Sequence, residues 1–291
     1  MKVVGFTIIR NNILYDFGVL EAIYSIMPLC DLIVVAVGKS EDSTLEQIKN
    51  LDSDKIKIIE TVWDDSLRSG GRVLALETDK AYQPIPDDAD RCFYIQDDEV
   101  LHEKYLDTVR TEMIKHQHNP LVDGLLFEYT HFYGSYDYVG NSWQWYNHEI
   151  RIIRKNKNYF SYRDAQGFRK KPNNKLKVKK IDAKIFHYGW VREPQSMQRK
   201  LKKFHSLYHN DNWTNKHFED STDFDYSNID SLENFKGTHP KVMQERILRM
   251  NWKFKHDISK NKFSFRERWK RRISRWVGYK VGEYKNYILL E

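Results

Sequence analysis

The short apolar run Arg91-Cys92-Phe93-Tyr94-Ile95-Gln96 stops abruptly on three acids, Asp97, Asp98 and Glu99. Adjacent carboxylates at a strand end repel: at about 4 Å a pair costs on the order of 1 kcal/mol in bulk water and nearer 4 kcal/mol at an effective dielectric of about 20. Any burial of this end therefore calls for a cation. Oxygen-only ligands suit Mg²⁺ or Mn²⁺, which keep several waters and share the rest of their shell with substrate phosphates. The plain alternative is a solvated acidic turn.

Other residues with chemical capacity sit where strands should end. Arg10-Asn11-Asn12 follows the first apolar run, and the loop GKSEDST, Gly38 to Thr44, follows the second. Arg10 and Arg72 offer charge-assisted bonds to phosphates, against ordinary surface ion pairing. Asp42 can accept hydrogen bonds from a nucleoside, but Ser40, Asp42 or Ser43 capping the next helix accounts equally for that loop. His187 in KIFHYGWVR sits just after another strand, where a neutral imidazole can complete a metal shell or touch a diphosphate; packing beside aromatics is the competing reading. Gly70-Gly71 lacks the Lys-Ser/Thr sequel of a phosphate loop, and there is no HExxH, nucleophile elbow or G-x-G-x-x-G.

The elements that must position these residues alternate. Val3 to Ile9 is a β-branched strand, Tyr15 to Met27 puts Val19, Ile23, Ile26 and Met27 on one helical face, and Leu32 to Val37 is a second strand. A helix from Ser43 to Asn50, the strand KIKIIETV, the helix VLALETDKAY and the strand RCFYIQ continue the pattern. Tyr105 to His116 reads as a helix, GLLFEYTHFYG and EIRIIRK as later strands, and Pro194 to His209 as a helix through Met197, Leu201, Phe204 and Tyr208. Such alternation predicts an α/β fold with a mainly parallel, Rossmann-like sheet flanked by helices. Ligands of open parallel sheets bind beyond the carboxyl ends of the strands, so the ends of strands one, two and four are expected to converge on one crevice.

Residues 170–180, KKPNNKLKVKK, read as basic and turn-bearing, and Asn210 to Asn234 as an acidic linker or long loop. Beyond it a basic, aromatic helix is expected within Phe263 to Tyr284, with Trp269, Ile273, Trp276 and Val277 in register. The expected division is a catalytic domain over 1–209 and a linker with a helical C-terminal extension over 210–291.

With 291 residues, 40% of them hydrophobic, the chain can bury one sizeable core plus an appendage. A net charge of +7 and pI near 9.1 predict a surface attractive to polyanions or an anionic membrane face. Cys30 and Cys92 show no disulfide or zinc spacing, which fits a reducing cytoplasm. The N-terminus reads as a buried strand rather than a signal peptide, and no segment approaches the roughly 18 apolar residues that span a bilayer.

From Lys2 to Trp190 the arrangement resembles the inverting family 2 glycosyltransferases of the GT-A fold, especially bacterial lipopolysaccharide-core and cell-wall sugar transferases. The residues carrying it are Arg10-Asn11, the GKSEDST loop with Asp42 and Thr44, and Gln96-Asp97-Asp98-Glu99 in the place of that family's Asp-Ala-Asp-Glu. The sequence departs from the family at Gln96, which replaces an acid, and at Ala36-Val37, where many members carry a base-reading Asp. The resemblance implies that Asp98 is the metal-coupled carboxylate with Glu99 beside it, and that Asp97 or Asp42 compensates for the departures. It also implies that Asp164 in SYRDAQGFR is the acceptor-side base, with Glu149 as second candidate, and that the histidine of HYGW, His187, returns to the donor diphosphate.

The function so implied is metal-assisted transfer of a sugar from a nucleotide-diphosphate donor, UDP by default, to a hydroxyl of a glycan or lipid-linked acceptor. Tyr133, Tyr136, Tyr138, Trp143, Trp145 and Tyr146 either stack on sugars or pack the core. The C-terminal helix either lies on an anionic membrane at the inner face or packs its tryptophans on the catalytic domain. The rivals are a metal-dependent nuclease or phosphotransferase built on the same acids, and a nucleotide-sugar-binding module without turnover; nucleic acid is not the expected partner.

Overall fold

The computed structural model describes residues 1–51, 53–218, 222–261, 263, 265–277, 282 and 284–291. The first half alternates as the sequence pattern requires: β1 (Val3–Ile9), α1 (Val19–Ile26), β2 (Leu32–Gly38), α2 (Thr44–Lys49), β3 (Ile56–Thr61), α3 (Arg72–Tyr82) and β4 (Arg91–Tyr94). Then come β5 (Glu99–Leu101), α4 (Leu106–Lys115), β6 (Gly124–Tyr133), β7 (Ser135–Gly140), β8 (His148–Arg154), β9 (Tyr159–Tyr162) and β10 (Gly167–Lys170). The strand β11 (Asn174–Trp190) is followed by α5 (Pro194–Ser206), α6 (Asp211–Phe218), β12 (Leu232–Asn234), α7 (Gln244–Leu248), α8 (Phe265–Val277) and β13 (Tyr287–Leu289).

The path through the sheet runs β3-β2-β1-β4-β8-β6-β11-β10-β9. Only its first four strands form a continuous parallel block; β4 pairs antiparallel with β8, β8 with β6, and β11 with β5 and β10. The sheet is therefore mixed, which corrects the expectation of a mainly parallel one. The reason lies in connection length: β9, β10 and β11 follow one another through short turns, which can only join antiparallel neighbours.

Side-chain alternation sorts the core onto two faces. Val3, Ile9, Ile33, Val35 and Phe93 pack with α1, α2 and α4, whereas Val4, Phe6, Ile8, Val34, Cys92 and Tyr94 pack with α3 and with Phe168 of β10. Both cysteines are buried, and burial pushes each thiol up to about 12, so they act as small apolar groups.

Two sequence expectations are corrected here. Residues 174–180 of the basic segment are the start of the long strand β11, which pairs parallel with β6 and β13; the turn is confined to 171–173. The supposed linker holds α6 and β12, the latter pairing with β7, while 219–221 lie outside the described residues. The stretch after 210 thus contributes two strands to the sheet as well as helices. Among the described residues no helix is long and apolar enough to cross a membrane.

Candidate active site

A cavity of about 560 Å³ opens where β1 and β4 end, roofed by α5 and closed by the 143–146 loop. Arg10, Asn11, Asp97, Asp98, Glu149, Asp164 and His187 all line it, so seven candidates from five separate places in the chain are brought together. The long strand β11 makes this convergence possible. Its last turn of chain carries His187 beside β5, with His187 paired to Glu99 in register, and so sets the imidazole against the acidic strand end.

Asp98 is the electrostatic centre. One carboxylate oxygen, Oδ2, accepts from the Lys200 ammonium at 3.1 Å, and the other, Oδ1, stands 3.6 Å from His187 Nε2. Burial alone raises a carboxyl, but Lys200, His187 and Arg192 outweigh it and hold Asp98 well below the usual carboxylate range. Asp97, beside it, moves the opposite way: burial first, then the charge on Asp98, push it up. Lys200 is shifted down by burial and by Arg192, while its ammonium also donates to the Gly189 carbonyl at 2.9 Å.

His187 and His131 meet ring to ring at the acidic strand end. His131 Nε2 lies 2.7 Å from the Tyr146 carbonyl, which can only accept, so that nitrogen carries the proton. His131 Nδ1 stands 3.1 Å from His187 Nδ1, and a proton on His187 Nδ1 would continue the chain of donors from the Tyr146 carbonyl. Burial lowers the pKa of His187, against the opposing pull of Asp98 and Glu99. In the tautomer that carries its proton on Nδ1, His187 turns the Nε2 lone pair toward Asp98 Oδ1, 3.6 Å away. Two acceptors facing each other favour a cation between them, and a carboxylate with an imidazole whose second nitrogen is anchored is a suitable donor pair. Gly189 keeps the approach open: a Cβ there would lie 2.6 Å from His187 Nε2 and 2.7 Å from Asp98 Oδ2. Among the described residues no three His, Cys, Asp or Glu side chains gather as a metal group.

Three other candidates lie elsewhere. Glu99 does not line the cavity; it is fully buried, bound by Arg151 at 2.6 and 2.7 Å and by the Tyr129 hydroxyl at 2.7 Å. Asp42 accepts from the amide of Leu14 at 2.7 Å and that of Thr44 at 3.0 Å, so it ties the loop after β1 to the first residue of α2. Arg72 is exposed at the start of α3. Arg10 is at the cavity, but Asp65 holds its guanidinium in a two-pronged pair at 2.9 and 3.1 Å. Asn11 accepts from the Glu41 amide at 2.7 Å and bends the chain at a left-handed φ of 57°.

Asp164 sits on a tight bend, with Arg163 and Ala165 both left-handed at φ 55° and 63°. Such strain is retained where the surroundings over-determine a position. Its Oδ2 accepts from the Tyr208 hydroxyl at 2.8 Å. Gly71 admits this contact, since a Cβ there would lie 2.6 Å from the Tyr208 oxygen and 2.7 Å from Asp164 Cβ. The aromatic segment divides: Tyr133 and Tyr136 are core, while Trp143, Trp145 and Tyr146 line the cavity with Trp190.

Lys200, Arg192, Arg151 and His131 were not anticipated. Lys200 carried a faint signal, since it lies on α5 between Met197 and Leu201, which both line the cavity. Arg192 is buried and donates to the carbonyls of Tyr15 and Asp16, which fastens the end of β11 to the bend after β1.

No family model matches the chain, and no curated protein matches it. Among solved structures, Staphylococcus aureus TarS is similar at 13% identity over 70% of this chain and 39% of that one, with a TM-score of 0.40. TarS 1-349 in complex with UDP is similar at 16% identity over 46% of this chain and 37% of that one, with a TM-score of 0.35. A putative nucleotide-diphospho-sugar transferase from Desulfovibrio desulfuricans is similar at 12% identity over 53% of this chain and 64% of that one, with a TM-score of 0.31. The chain spans well under half the length of the TarS structures it matches.

Proposed function

We propose that the protein is a nucleotide-sugar-dependent glycosyltransferase in which Asp98 and His187 share a divalent cation, Mg²⁺ or Mn²⁺, with the donor diphosphate. The observation that supports this best is the facing pair Asp98 Oδ1 and His187 Nε2, 3.6 Å apart in a cavity that also holds Asp164. When bound, the cation would supply Lewis-acid neutralisation of the departing diphosphate. Lys200 keeps Asp98 ionised and adds positive charge to the same corner. Arg10 and Trp63, at the ends of β1 and β3, offer a cationic edge and an indole face to the nucleotide, with a UDP-sugar as the default donor.

Asp164, with Glu149 as the second candidate, takes the proton of an acceptor hydroxyl as it attacks the anomeric carbon. Direct displacement inverts that centre. Trp143, Trp145, Tyr146 and Trp190 give the cavity flat faces suited to a glycan or the glycan part of a lipid-linked acceptor.

The test is a thermal-shift series with UDP, GDP, CMP and TDP, each with and without Mn²⁺, on wild type, Asp98→Ala and His187→Ala. A ligand bound only to the fold at 100 times its Kd adds about 2.7 kcal/mol. The expected result is manganese-dependent stabilisation by one nucleotide that both substitutions remove. Absence of any nucleotide response in the wild type overturns the reading.

A further inference from the structure

The helix α8 docks on the protein by its polar side. Glu267 accepts from the Trp143 amide at 3.0 Å, Arg271 donates to the Asn141 carbonyl, and the Arg271 guanidinium sits 3.9 Å from the centre of the Phe263 ring. The other side is apolar and open: Phe265, Trp269, Ile273 and Trp276 are 72, 52, 42 and 90% exposed. At 3.6 residues per turn these four positions fall within a sector of about 80°. Arg268 and Arg272, both exposed, border that sector. A soluble surface that buries its polar contacts and presents two tryptophans, a phenylalanine and an isoleucine in one stripe is inverted relative to an ordinary packed helix.

We infer that this face of α8 seats the protein on an anionic lipid bilayer, beside the mouth of the cavity. Thirteen residues make a helix of about 20 Å, too short to span the roughly 30 Å hydrocarbon layer, so it lies in the interface plane. Tryptophan favours that depth, and the bordering arginines meet anionic headgroups. Charge selects the bilayer over a second copy of the chain: two-fold pairing through this stripe would bring Arg268 and Arg272 against like charges on a molecule already at +7. The placement bears on the acceptor. The residue that α8 grips, Trp143, lines the cavity, and Lys270 reaches within 5.6 Å of its ring centre, so a seated helix holds the cavity next to the lipid surface. A sugar acceptor carried on a membrane lipid fits that arrangement. The seating itself goes beyond the transferase reading and does not rest on it.

The experiment is co-sedimentation of the full chain, without nucleotide, with vesicles of phosphatidylglycerol and phosphatidylcholine and with vesicles of phosphatidylcholine alone. Binding is expected to the anionic vesicles, to weaken as salt rises, and to fall at least tenfold in Trp269→Glu/Trp276→Glu. The double variant is expected to keep the wild-type melting temperature. Brominated lipid should also quench part of the wild-type tryptophan fluorescence, a readout that needs no substitution. Failure of the wild type to bind anionic vesicles, or equal binding by the double variant, overturns the inference. So does sedimentation velocity showing a vesicle-free dimer that the double variant dissolves. None of these outcomes depends on the nucleotide response of the active site.

Discussion

The Glu99–Arg151 pair offers the sharpest test of how the acidic strand end is organised. Both side chains are within 1% of complete burial, and Arg151 grips both Glu99 oxygens while lying 5.4 Å from the ring centres of Tyr94 and Tyr129. Glu99 Oε2 also accepts from the Gln96 amide at 3.2 Å, so the pair closes the turn that presents Asp98. Arg151→Met leaves a buried carboxylate with no counter-ion, which costs about 3–5 kcal/mol. Replacing both as Glu99→Leu/Arg151→Met removes the stranded charge and should cost less than the sum of the single changes by about 2 kcal/mol or more.

Urea unfolding at pH 7 of the two single variants and the double variant measures this coupling. A coupling below about 0.5 kcal/mol would refute the idea that the pair holds the turn. The same proteins separate two roles for Glu99. If its carboxylate serves the turn alone, a folded Glu99→Gln keeps a manganese-dependent nucleotide response that Asp98→Ala loses. Equal loss in both would return Glu99 to the cation.

Three further outcomes are expected. Burial raises Asp79 to about 6, against 3.8 for the free side chain, so the fold holds its proton more tightly than the unfolded chain does; its contribution is most favourable below about pH 4 and is lost as pH rises through 6. Asp79→Asn, which keeps an acceptor for the Ser161 amide, should be more stable than wild type by about 1–2 kcal/mol at pH 7.5, after discounting for partial exposure, and equal to it at pH 4; urea midpoints at the two pH values check this. Gly189→Ala pushes a methyl between Asp98 and His187 and should cost about 1–3 kcal/mol, with the manganese-dependent nucleotide shift abolished in the thermal-shift assay. Asp164→Asn should retain that shift while turnover of the donor with an acceptor falls by about 10²–10⁴, and unchanged turnover would remove Asp164 as the base.

How far the sequence carried the structure depends on how local each signal was. The strands β1 to β4 and the helices between them are readable because period-2 and period-3.6 patterns lie within a dozen residues, and the ends of β1 and β4 do meet at the cavity. The loop after β2 does not join them, because Asp42 spends both oxygens on backbone amides, those of Leu14 and Thr44. The half of the sheet after β4 was less legible. In residues 174–180 lysines alternate with apolar groups, so a half-buried strand and a basic turn look alike until β6 and β13 are seen to flank it.

The site charges that went unseen share one property: their partners are far away in the chain. Lys200 meets an acid 102 positions earlier, and Arg151 one 52 positions earlier. Lys200 stands in a basic run, Arg199 to Lys203, and Arg151 between two isoleucines of a strand, so nothing local marks either charge as buried. α8 shows the converse. Its sequence fits a helix that packs its tryptophans inward as well as one that shows them to lipid. What separates the two is which residues touch the protein, and among the described residues Glu267, Lys270 and Arg271 do so, side chains that composition alone assigns to solvent. A charged residue turned inward and a tryptophan turned outward are opposite departures from the rule that buries apolar surface, and here each departure stands beside the same cavity.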